Sequence, residues 1–189
     1  MRITSGEFGG RSLFTPKGKN TRPTTDRARQ AVFNILCHAH WAPAIAEARV
    51  LDLFAGSGAL GFEALSLGAS FCLFVEQAAE ARAAIRDNIE AFNLFGQTRI
   101  HRRSAISLGR RPPSTGEPFD LVFLDPPYGE GLGEKALAEL VRYHWLATDA
   151  LLVFECSAEE TPSLPNFTVL ETRIYGAAKI LFLQQRRVL

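Results

Sequence analysis

A chain of 189 residues with 47% hydrophobic and 22% charged side chains is long enough for one well-cored domain and has the balance of an ordinary globular protein. Its net charge of +1 names no partner, and its longest apolar region, 50–75, is interrupted by Asp52, Glu63 and several glycines, which argues against a membrane span. The three cysteines, Cys37, Cys72 and Cys156, are odd in number and far apart, so no disulfide framework is implied; with no apolar leader after Met1, the expectation is a cytoplasmic protein.

The first 30 residues carry seven basic side chains (Arg2, Arg11, Lys17, Lys19, Arg22, Arg27, Arg29) against Glu7 and Asp26, a local charge of +5, while the remainder carries −4. Such asymmetry suggests an end that meets something anionic, and phosphate neutralisation is the commonest use of such a patch. Residues 1–23 read as a basic arm or small hairpin, built from "RITSGEF" and "RSLFTP", and 24–189 as the main domain. Helix signals begin at "PTTDRARQAVFNILCH": Thr24 or Thr25 can cap, Asp26 suits the positive N-terminus, and Val32, Ile35 and Leu36 form an apolar stripe. "CHAH", residues 37–40, reads as the end of that helix, because no second cluster stands at metal-ligand spacing.

From residue 49 the pattern alternates. "RVLDLFA" reads as a strand and "ALGFEALSLG" as a helix; "SFCLFVE" is a strand and 78–95 a helix; "RIHRRS" is a short strand before the polar loop "GRRPPSTGEP". "FDLVFLD" is the next strand, 133–143 a helix and "ALLVFEC" a strand. This rhythm predicts an α/β fold with a mostly parallel sheet covered on both faces. "FTVLETRIYG" and "AKILFLQQ" are joined too tightly for a helical crossover and predict an antiparallel hairpin. Arg99, Arg102, Arg103, Arg110 and Arg111 form a second basic group, either a solvated loop or an extension of a nucleic-acid footprint.

Two motifs carry chemistry. "VLDLFAGSGALG" sets Gly56, Gly58 and Gly61 between a strand and a helix in G-x-G-x-x-G spacing, and Glu76 follows 20 residues after Gly56 at the end of the next strand. Glycines there allow a tight turn and close ligand approach, and a terminal carboxylate can accept from both hydroxyls of a ribose. Asp52 lies in an otherwise apolar strand, where a carboxylate needs hydrogen bonds or a cation. The ammonium of S-adenosylmethionine would serve, whereas a dinucleotide would bring a pyrophosphate near another acid. In "FLDPPYGEG", Asp125 stands at a strand end, and Pro126 and Pro127 remove two N–H donors. The loop therefore offers acceptors, the Asp125 carboxylate and the Pro126 carbonyl, beside the flat face of Tyr128. That set suits the exocyclic amine of a nucleobase, whose delocalised lone pair is freed when both N–H bonds are gripped. Cys156 has no credible activating base, so a covalent mechanism is unsupported.

"DLFAGSGALGFEAL", "FVEQ" and "VFLDPPYG" resemble three motifs of amino-directed S-adenosylmethionine-dependent methyltransferases. "GGRSL", "TRPTTDRARQAVFNIL" and "TRIYGAAKILFL" resemble the opening and closing segments of the bacterial family that methylates N2 of a guanine in small-subunit ribosomal RNA (RsmD-type). The resemblance covers nearly the whole chain. It implies a Rossmann-like, seven-stranded sheet with an antiparallel final hairpin, S-adenosylmethionine as methyl donor, and ribosomal RNA or the assembling small subunit as partner. A monomer, with no metal and no membrane partner, is expected alongside it. By position, Asp52, Gly56 and Gly58 would line the donor's methionine end, Phe54 and Ala55 would also bind the donor, and Glu76 would take its ribose. Asp125, Pro126 and Tyr128 would hold the guanine, with Pro127 beside them. Ser104 and Ala105 fall where related enzymes often carry an acid for the adenine. Arg11, Arg22 and Arg27 would contact RNA. The rival readings are an adenine-N6 or cytosine-N4 DNA methyltransferase, a nicotinamide-dependent oxidoreductase and a non-catalytic RNA-binding module; the small size, with no separate sequence-reading domain, weighs against the first.

Overall fold

Short apolar strands need hydrogen-bonding neighbours, and they find them in one sheet. A computed structural model describes residues 1–16 and 26–186; the expected caps Thr24 and Thr25 and the expected RNA contact Arg22 lie outside the described residues. The strands are β1 (Arg49–Leu53), β2 (Phe71–Val75), β3 (Thr98–His101), β4 (Phe119–Leu124), β5 (Leu146–Ser157), β6 (Phe167–Tyr175) and β7 (Ala178–Gln185). They form a seven-stranded sheet in the order β3-β2-β1-β4-β5-β7-β6. The first five run parallel, and β7 is antiparallel to both β5 and β6. The fold is thus the Rossmann-like sheet that the alternating pattern predicted.

Side-chain alternation divides the core in two. Val50, Phe74, Leu121, Phe123 and Val153 face one layer, where α1 (Asp26–His38), α2 (Ala59–Ser66) and α3 (Ala79–Phe92) supply Phe33, Phe62 and Ile85. Leu51, Leu53, Val122, Leu124 and Leu152 face the other, covered by Leu137 and Leu140 of α4 (Leu132–Arg142) and by Trp145. The β3–β4 connection holds only one 3₁₀ turn, Pro113–Thr115, yet it closes this second layer with buried Ala105 and Leu108. It is pinned by the Trp145 indole donating to the Gly109 carbonyl at 2.9 Å and by the Gly109 N–H donating to Glu139 at 3.0 Å.

Residues 1–16 of the N-terminal arm are docked on the domain. Arg2 and Ser12 form one antiparallel bridge, and Ile3, Phe8 and Leu13 are buried in the first core layer. Its backbone is bonded to α2 and α3: Glu7 N–H donates to the Ser66 carbonyl at 2.8 Å, and Asn88 both accepts from Phe14 N–H at 2.8 Å and donates to the Phe14 carbonyl at 3.0 Å. α1 ends at His38, the helix end expected at "CHAH". Among the described residues, no helix is long and apolar enough to cross a membrane and no group of three or more His, Cys, Asp or Glu is placed to hold a metal.

Candidate active site

Register decides which strand ends meet. Leu53 of β1 pairs with Val75 of β2 and with Leu124 of β4, so the chain leaves three adjacent strands at the same level, at Phe54, Glu76 and Asp125. With about 4.8 Å between neighbouring strands, the two outer exits are roughly 10 Å apart. A cavity of about 900 Å³ opens there, lined by Asp52, Phe54, Ala55, Gly56, Glu76 and Ala105 together with Asp125, Pro126, Pro127 and Tyr128. The two motifs, 70 residues apart in the chain, thus share one chamber.

The β1–α2 turn is built by backbone strain and close packing. Phe54 has φ 59, a left-handed conformation that L side chains rarely adopt and that concentrates at functional turns. Gly58, at φ 78, starts α2 from behind the cavity, against Phe62 and Phe74, and does not line the chamber. Glu76 organises the turn: one carboxylate oxygen accepts from Gly56 N–H at 2.8 Å and the other from Ala78 N–H at 2.8 Å. Each oxygen keeps a second lone pair for a ligand hydroxyl.

Asp52 is 2% exposed, and Oδ2 accepts from Gly61 N–H in the first turn of α2 at 3.0 Å. Burial, joined by the nearby charges of Asp125 and Glu76, pushes its carboxyl well above the ordinary 3.8, against the opposing pull of that hydrogen bond. Asp52, Asp125 and Glu76 thus lie near one another in the wall, a local cluster of acids that favours a cation beside Asp52. Tyr128 is oriented by Glu155, which accepts from the phenol at 2.6 Å, and Gly129 N–H donates to Glu160 at 3.0 Å, tying the loop after β4 to the end of β5.

Several expected residues lie elsewhere. Ser104 does not line the cavity, although its neighbours Arg103 and Ala105 do. Arg11 caps the far side of the arm, with its guanidinium 4.4 Å from the centre of the Phe92 ring and donating to the Ala91 carbonyl. Arg27 is exposed on α1 and does not line the chamber. Conversely, sequence reasoning passed over Glu155, Asp26 and Arg29, all in the wall. Glu155 carried the same signal as Asp125, a carboxylate closing an apolar strand run. Arg29 occupies the apolar stripe of α1, beside Val32, Phe33 and Leu36, which is where a buried charge should be sought.

Arg29 is 1% exposed and Glu63 fully buried; Arg29 Nε donates to Glu63 at 2.9 Å and Nη2 to Asp26 at 2.9 Å. Its Nη1 has no hydrogen-bond partner among the described residues. Cys156 is buried, and desolvation pushes its thiol up to about 11, so it holds no thiolate near neutral pH.

Comparison with known proteins agrees with this architecture. A family model described as "Conserved hypothetical protein 95" matches residues 1–184. Ribosomal RNA small subunit methyltransferase D of Escherichia coli K12 is 36% identical over 178 residues, covering 93% of this chain and 85% of that one. The protein of the same name from Haemophilus influenzae is 33% identical over 178 residues, covering 93% and 89%. The solved structure of yhhF from Escherichia coli superposes with a TM-score of 0.84 at 34% identity, covering 98% of this chain and 97% of that one. Family model, near-complete relatives and superposed sheet all lead to one statement: the chain belongs to the ribosomal RNA small subunit methyltransferase D family of methyltransferases.

Proposed function

We propose that this chain transfers a methyl group from S-adenosylmethionine to the exocyclic N2 of a guanine in small-subunit ribosomal RNA. The observation that carries the reading is the shared chamber, which joins an acceptor-lined loop with an aromatic plate to a carboxylate-lined nucleoside site. The relatives' names supply the RNA class.

The residues present fit the donor. Asp52 is a buried carboxylate with one backbone hydrogen bond and a raised proton affinity, which an α-ammonium would relieve. Glu76 suits the ribose hydroxyls, and Arg29 Nη1, in the same wall, suits the α-carboxylate. When bound, S-adenosylmethionine supplies a methyl carbon made electrophilic by its sulfonium. A dinucleotide pyrophosphate would instead meet Asp52, Glu76 and Asp125, all of one sign, which disfavours the nicotinamide reading.

The chain's contribution is positioning and electrostatics. Tyr128, fixed by Glu155, presents a ring for a base turned out of its stack. Asp125 and the Pro126 carbonyl accept the two N–H bonds of the amine and draw it towards tetrahedral geometry, which frees its lone pair. The nitrogen would become acidic only as its bond to the methyl carbon formed and that carbon's bond to sulfur broke, leaving a neutral thioether, and Asp125 would take the proton then. Asp125→Ala is expected to lower tritiated-methyl transfer to RNA by about 100- to 1,000-fold, of the order seen when one transition-state hydrogen-bond partner is removed, with donor affinity by calorimetry within about twofold. An active Asp125→Ala enzyme excludes this mechanism.

A further inference from the structure

At the outer edge of the sheet, α3 and β3 enclose a second concavity of about 480 Å³. Four arginines line it, Arg82 and Arg86 from the helix and Arg99 and Arg102 from the strand and its exit, with Glu90 the single carboxylate in its wall. Among the described residues, Arg86, Arg99 and Arg102 are in none of the ion pairs found, which hold Arg29 and Arg173. The charge of Arg99 is felt at the last residue of β3: burial first, then Arg103 and Arg99, hold the His101 imidazole below its ordinary 6.5. Phe95, in the turn between α3 and β3, lines the same groove and is 65% exposed.

The groove and the chamber share no lining residue, but they meet along the chain at the exit of β3. Glu76 N–H donates to the His101 carbonyl at 3.1 Å, and Arg103, next to groove-lining Arg102, lines the catalytic chamber. Cations in a row with an exposed aromatic ring match single-stranded nucleic acid, in which phosphates alternate with bases that stack on any flat face. A base turned into the chamber must leave its strand neighbours outside it, along a path that starts at the chamber rim.

Resting on the reading of this chain as an RNA methyltransferase, we propose that the α3–β3 groove holds the single-stranded RNA adjoining the target nucleotide, with Arg86, Arg99 and Arg102 on phosphates and Phe95 under a base. The whole chain, titrated with protein-free small-subunit ribosomal RNA at several salt concentrations, tests it. In the Arg99→Ala/Arg102→Ala protein, the slope of log affinity against log salt should become shallower by about 0.7 for each arginine removed. Phe95→Ala should bind about tenfold more weakly at every salt concentration, with the slope unchanged. Wild-type affinity and slope in both variants, with melting temperatures unchanged, would overturn the groove. A loss seen with the assembled small subunit but not with protein-free RNA would overturn it too, since the occupant would then be a protein. Methyl transfer is read separately, on protein-free RNA and on the assembled small subunit: a wild-type protein that binds but transfers to neither refutes the proposed reaction, while the binding data still judge the groove.

Discussion

Asp52 is a buried carboxylate that stands between Leu51 and Leu53 in β1, is held by one backbone N–H and has two other acids nearby. Its raised pKa means that the folded state binds a proton more tightly than the unfolded chain. Stability therefore falls as pH rises from the unfolded value, 3.8, to the folded one, and stays reduced above it. Asp52→Asn keeps an oxygen for Gly61 N–H and removes that loss. The variant should melt a few degrees higher than wild type at pH 7 and converge with it near pH 4, as thermal scans at the two pH values would show. The same substitution removes the partner proposed for the donor's ammonium, so donor affinity should drop by about tenfold or more, the worth of a charge-assisted hydrogen bond. Wild-type binding should release a proton below the raised pKa, visible as a buffer-dependent heat. Asp52 stood out in the sequence as a lone acid in an apolar strand; its distance from Asp125 and Glu76 did not, because it follows from strand order.

The strand and helix identities came through from local pattern, and so did the glycine turn. Gly61, the last glycine of that motif, shows why helix propensity is a poor guide here. A Cβ at this position would lie 2.4 Å from the Phe74 ring and 2.6 Å from Cys72 Sγ, both on β2 beneath the helix. Replacing glycine by alanine inside an exposed helix gains about 1 kcal/mol. At Gly61 the overpacking of a buried contact should cost about 1–3 kcal/mol instead. Gly61→Ala should lower the melting temperature by several degrees; a rise would contradict the packing. Other element features were illegible. β5 begins at Leu146, four residues before its apolar run, because Leu146 pairs with Phe119 of β4; the exposed Thr148 and Asp149 fall in the register irregularity before Leu151 pairs with Leu121. The β3–β4 connection covers one sheet face without a helix, through buried residues scattered in a polar loop.

At the scale of the molecule, one buried ion pair joins three parts of the chain. Glu63 of α2 accepts from Arg29 of α1 at 2.9 Å and from the Thr4 N–H of the arm at 2.8 Å, and Arg29 also donates to the Arg2 carbonyl. Removing one member strands a buried charge, at a cost of about 3–5 kcal/mol. For a domain of this size that corresponds to a fall in melting temperature of roughly 10 °C. Glu63→Leu should show that fall, and Arg29→Met/Glu63→Leu should recover most of it, since apolar replacement of both partners restores neutrality. A double variant as unstable as the single one would place the effect in shape rather than charge.

The sequence by itself determined which residues form strands and helices and which of them close the strands: Glu76, Asp125 and the turn at Gly56. Those properties depend on alternation, turn chemistry and charge placement over ten residues or fewer. Only the tertiary structure decided that these ends open into one chamber, that Tyr128 leans on Glu155, that Arg29 lies buried against Glu63, and that Phe95 shares a groove with four arginines. Each of these pairs residues from different elements, and their meeting is set by strand order, register and helix packing, which local preferences do not encode.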